Sequence, residues 1–152
     1  MMIQLRHTLP ILLVLGLLGP AHAATSPDTT DAPTPEAIVQ AELAQSLTSD
    51  QAYDQERAAR RIRTYAYTDR YDAAFFRDLV SPLQDLAADG RTESVRITAI
   101  SALSAIGTDA AMRGLKAQVI SFRPGPIRQL TVHVIAQHDA GWAVAEADRP
   151  TQ

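Results

Sequence analysis

The sequence predicts an all-α fold of short helices packed in pairs. Three observations carry that reading. Hydroxyl and acidic residues recur just before apolar runs spaced three and four apart, as caps stand before helices. Glycine and proline fall mostly between those runs, where chain reversals belong. Strict apolar–polar alternation, the mark of a half-buried strand, is confined to a short stretch around Thr131, Val132 and Val134.

The chain opens with the pattern of an export signal. Arg6 and His7 precede any acid, the apolar run Ile11 to Leu18 follows, and Gly19-Pro20 ends it. Ala21-His22-Ala23 puts small residues where a signal peptidase reads them, so cleavage is expected after Ala23. The run is too short to anchor in a bilayer as a helix, which needs about 20 apolar residues. There is no cysteine to carry a lipid, a disulfide or a thiolate metal site. Loss of Arg6 leaves thirteen of the fourteen basic residues against seventeen acids, a net charge of about −4. That balance, without a concentrated basic face, argues against nucleic acid as partner. Lys116 is the sole lysine, an arginine bias typical of GC-rich bacterial genomes, and the expected location is periplasmic or secreted.

Residues 24–35 contain Pro27, Pro33 and Pro35 and no large apolar side chain, so they read as a disordered tether. Residues 36–148 form the expected helical domain, and residues 149–152 a tail. Thr34-Pro35-Glu36 supplies a cap, a first-turn proline and a first-turn acid, with Ile38, Val39, Leu43 and Leu47 as the stripe of the first helix. Thr48-Ser49-Asp50 stops it and offers caps for the next, which runs to about Tyr67 with Tyr53, Ile62, Tyr65 and Ala66 turned inward. Asp69 is expected to cap a third helix carrying Tyr71, Phe75, Leu79 and Val80. Ser81-Pro82-Leu83-Gln84 has a capping-box pattern and predicts a kink or restart before Asp89-Gly90. Gly107 suits a left-handed cap, and Thr108 opens a helix with Ala111, Met112, Leu115, Val119 and Phe122 inward. Arg123-Pro124-Gly125-Pro126 is a stop. Ile127, Leu130, Val134 and Ile135 follow, then a short tail helix with Trp142 and Val144.

Between Glu93 and Lys116 the chain reads Val95-Arg96, Ala99, Ala102-Leu103, Ile106-Gly107, Ala110-Ala111 and Leu115. Roughly thirty residues on, a spacing typical of helix-pair repeats, Ile127-Arg128, Thr131 and Val134-Ile135 repeat its first half, with Asp139 in the glycine slot. This pattern resembles the HEAT-like repeat of the phycobilisome-lyase type. The resemblance implies a short α-solenoid of about three antiparallel helix pairs, with Ala99 and Ala102 allowing close approach and Val95, Leu103 and Ile106 filling the seam. It implies that Arg96 ties adjacent turns through an acid such as Asp89 or Glu93. It also implies a concave docking side on the second helices, with Arg70, Arg77 and Gln84 in one pair and Arg113 and Lys116 in the next.

Catalytic groups are sparse. His133 and His138 stand about 140° apart around a helix and do not converge on one metal. No serine sits in a Gly-x-Ser-x-Gly elbow, and no glycine-rich phosphate loop is present. Asp69-Arg70-Tyr71-Asp72 reads as a helix start before an acid/base site. Arg57, Arg60 and Arg61 read as a solvated face neutralised by Asp54 and Glu56, and the aromatics from Tyr53 to Phe76 as core. Neither cofactor, metal nor enzyme activity is expected. The expected function is a protein-binding or scaffold module with a protein partner. A small-ligand protein or enzyme of the bilin-lyase kind, and a self-associating structural subunit, are the alternatives.

Overall fold

The computed structural model describes residues 32–142, and within them the chain is all-α with no strand. The expected signal peptide, most of the tether, Val144 and the tail 149–152 lie outside the described residues. Six helices follow in order: α1 (Pro35–Leu47), α2 (Ala52–Tyr67), α3 (Ala73–Asp89), α4 (Glu93–Ile106), α5 (Asp109–Val119) and α6 (Pro126–His138). The stretch around Val132 is helix, because Ile127, Thr131, Val134 and Ile135 are buried at helical spacing. Residues 140–142 begin a further turn, whose Trp142 N–H donates to Asp139 Oδ1 at 3.1 Å.

Each cap has a local cause. The hydroxyls of Thr34, Thr92 and Thr108 accept from the N–H groups of Ala37, Val95 and Ala111, which would otherwise be orphaned at a helix start. Gly107 closes α4 at φ 62°, a left-handed angle that costs L side chains energy, and donates to Leu103 O at 3.1 Å. Gly90 joins α3 to α4 where a Cβ would lie 2.5 Å from Leu86 O and 2.9 Å from Val95 Cγ1.

Four expectations are corrected. Asp69 ends a helix instead of starting one. It stands at φ 47°, its N–H donating to Ala66 O, while Arg70 N–H donates to Tyr65 O; together these form the paired bonds of a Schellman stop. The cap of α3 is Asp72, whose Oδ1 accepts from Phe75 N–H at 3.1 Å. Helix α3 also runs without interruption through Pro82. The buried set Phe75, Phe76, Leu79, Val80, Leu83, Leu86 and Ala87 straddles the proline in one register, and that packing outweighs the roughly 3 kcal/mol an interior proline costs. The N-cap of α2 is Gln51, without a side-chain cap; Ser49 Oγ accepts from Gln51 N–H and donates to Asp54. Finally, Tyr53, Tyr67 and Ile38 are exposed and lie outside the core.

The helices lie in two rows. In one, α1 packs on α3 and α3 on α5; in the other, α2 packs on α4 and α4 on α6. The rows meet through α1 with α2, α3 with α4, α4 with α5, and α5 with α6. Helix α4 thus touches α2, α3, α5 and α6, and Val95, Ala99, Ile100, Ala102 and Leu103 on it are fully buried. The first helix is part of this packing, with Leu43 and Leu47 in the core.

The two aspartates at the α2–α3 turn give opposite predictions. Asp69→Gly, which relieves the left-handed strain, raises stability by about 0.5–1 kcal/mol, whereas Asp72→Ala lowers it by about 1 kcal/mol. Urea denaturation of both variants checks the assignment, and the reverse order would restore Asp69 as the cap.

Candidate functional site

The surface of the α1, α3, α5 row is built on three glutamines. Gln40 on α1 donates to Phe75 O of α3 at 2.8 Å. Gln84 on α3 donates to Ala110 O of α5 at 3.1 Å, and Gln118 on α5 donates back to Gln84 O at 3.0 Å. Each amide spans neighbouring helices to a carbonyl, so the row is held by polar bridges outside its apolar seam. Gln84 crosses α5 over Gly114, where a Cβ would sit 1.8 Å from the Gln84 amide nitrogen and push that side chain aside.

These bridges sort the five residues expected on the docking side. Gln84 is half-buried and committed to α5. Lys116 Nζ donates to Asp139 Oδ2 at 2.6 Å, tying α5 to the end of α6. Arg70 lies over the rings of Tyr65 and Tyr71, 5.3 and 5.7 Å from their centroids, and belongs to the α2–α3 turn. Arg77 and Arg113 are exposed and have no side-chain partner among the described residues. Arg77 borders a cleft of about 230 Å³ between α3 and the start of α5, floored by Phe76 and Val80 and edged by Ala74, Thr108 and Ala110.

The repeat residues Val95, Ala99, Ala102, Leu103, Ala111 and Leu115 are buried, and Ile106 is half-buried against the core. Arg96 does tie adjacent turns together, but not through an acid. Its Nε donates to Ala87 O at 3.2 Å, and its guanidinium lies 5.3 Å from the Phe122 ring centroid. The α3 C-terminus offers a carbonyl within reach, while Asp89 and Glu93 stay exposed.

The basic residues of α2 part company. Arg60 pairs with Glu56 one turn earlier, and Arg61 reaches Glu42 on α1 at 2.7 Å and the Tyr65 hydroxyl at 3.3 Å. The Glu56 carboxyl is held below its ordinary value by Ser94 and then by Arg60. Arg57 has no side-chain partner among the described residues. Tyr71 stacks on Phe75 with centroids 3.9 Å apart and meets Tyr65 edge-on at 5.3 Å, and Phe75 meets Phe76 edge-on, so these four aromatics pack together. Tyr53 and Tyr67 stand apart from it, 73% and 69% exposed. Helical spacing carried the warning, because Tyr53 and Tyr67 stand about 180° and about 140° around α2 from the buried Ile62.

His133 and His138 are exposed, and among the described residues no group of three or more histidine, cysteine or acidic side chains is placed to hold a metal. Among those residues no helix is long and apolar enough to cross a membrane. Comparison with protein-family models, curated proteins and solved structures returns no match.

Lys116 is the first cause of a lowered pKa at Asp139, with the Trp142 N–H second. A carboxyl depressed in the folded state adds stability above its unfolded pKa and loses it as pH falls through the folded one. Lys116→Met therefore moves the Asp139 titration upward, toward the ordinary aspartate value, in a carboxyl-detected NMR titration. An unmoved midpoint would show that the ion pair does not form in solution.

Proposed function

We propose that the chain is an exported, HEAT-like α-solenoid that acts as a protein-docking module, with the α3–α5 surface as its docking side. The observation that carries this reading is the two-row order, in which each helix packs on the one two places along, the arrangement by which helical repeats extend a surface. Arg77 and Arg113 are the contact residues of choice. They are the cations of the expected set without a side-chain partner among the described residues, and they stand on successive helices of one row. Ala110 and Ala117, small and exposed about one turn on either side of Arg113, leave room for a partner to approach. The expected signal sequence supports work in the periplasm or outside the cell, with an envelope protein as the proposed partner.

A crosslinked pull-down of the tagged protein from the cell envelope, read by mass spectrometry, tests the reading. One dominant envelope protein is expected, lost with Arg77→Glu/Arg113→Glu while helicity by circular dichroism is unchanged. Capture that survives the double reversal contradicts the placement on α3 and α5.

A further inference from the structure

The outward face of α2 is not used by the packing. Tyr53, Arg57, Arg60, Thr64 and Tyr67 follow one another at intervals of four and three, so they form one straight stripe along the helix. All five are exposed. The helix buries its other side, Gln55, Ala58, Ala59 and Ile62, against α1 and α4. The stripe spans about 21 Å at 1.5 Å per residue, the contact length of about four helical turns.

Its composition is unusual for a solvated face. The two most exposed large apolar side chains among the described residues stand at its ends. Two arginines stand at its centre, one of them, Arg57, without a side-chain partner among those residues. Tyrosine and arginine are the residues that interfaces gather, while solvent-facing helix surfaces favour lysine, glutamate and small side chains. The electrostatics have a direction too. Helix α2 carries Arg57, Arg60, Arg61 and Arg63 against Asp54 and Glu56, in a chain whose net charge is −3. An anionic ligand is therefore favoured at α2. The same acidic surplus disfavours a polyanion as extended as nucleic acid.

We propose that this stripe is a second docking surface, which seats an acidic amphipathic helix of another protein alongside α2. Two carboxylates one turn apart on that helix meet Arg57 and Arg60. An apolar residue about one turn beyond the first carboxylate packs on Tyr53, and another about two turns beyond the second packs on Tyr67. Glu56 sits beside Arg60 and limits the site to ligands whose carboxylates displace it or share its arginine.

The probe is a synthetic helical peptide with leucine, glutamate, glutamate and leucine at intervals of four, three and seven, beside a control peptide with lysine for glutamate. Fluorescence anisotropy and ¹⁵N-detected chemical-shift mapping are read on the purified protein. Saturable binding of the acidic peptide alone is expected, with shift changes confined to residues 53–67. Arg57→Glu/Arg60→Glu weakens it by at least about tenfold and transfers preference to the lysine peptide. Tyr53→Ala/Tyr67→Ala weakens it with unchanged circular dichroism, and Arg57→Gln/Arg60→Gln serves if the reversal unfolds α2. Equal binding of both peptides, shift changes on α3 and α5, or preference for anionic phosphatidylglycerol vesicles overturns the proposal. So does a dimer, seen by sedimentation without peptide, that Arg57→Glu/Arg60→Glu dissolves. Because Arg77 and Arg113 are untouched in these variants, failure here is separate from failure of the α3–α5 surface.

Discussion

The burial of α4 is the constraint on which the other helices depend. Its buried positions Val95, Thr98, Ala99, Ile100, Ala102 and Leu103 span about 200°, just over half of the helix circumference. A helix buried on that scale has to be thin where neighbours come close and bulky where they leave space. Ala99 and Ala102 are the thin places, and Val95, Ile100 and Leu103 the bulky ones. Four helices lean on this one, so its ends are fixed with particular care. Thr92 starts it, Gly107 stops it at a left-handed angle, and Gly90 brings α3 in at a distance that no Cβ permits.

Outside that core, polar bridges hold the rows at their surface. Gln40, Gln84 and Gln118 tie α1 to α3 and α3 to α5, while Arg96 grips Ala87 O and stacks on Phe122. Lys116 and Asp139 close the far end. Each of these uses up a side chain that would otherwise be offered to a partner. The unspent polar and aromatic groups are then informative: Arg77 and Arg113 on one row, Tyr53, Arg57 and Tyr67 on α2. The two proposed surfaces lie on opposite rows, so occupation of one would leave the other open.

Much of the helix plan was legible because caps and breakers act locally. Thr34, Thr92, Thr108 and Gly107 do what their residue types favour, and neighbours three and four residues away suffice to read them. The misreadings arose where distant packing overrides a local signal. Ser81-Pro82 has the chemistry of a restart, yet one continuous buried face keeps α3 whole. Asp69 and Asp72 are both able caps, and only the Schellman bonds at Ala66 and Tyr65 decide between them. The site was less legible than the fold. Whether Gln84, Lys116 and Arg70 are free depends on Ala110, Asp139 and two tyrosine rings, partners that sequence spacing does not bring together. Tyr53 was misplaced for a different reason: it was grouped with Ile62 although the two stand about 180° apart around α2.

Native-state amide hydrogen exchange tests the central role of α4 most directly. If α4 is the shared wall of both rows, its amides around Ala99 to Leu103 open only with global unfolding. They then show the highest protection in the chain, together with the α2 and α3 amides facing them. Amides of α4 that exchange through local opening, or an α5–α6 unit that stays protected while α4 exchanges, would contradict the account.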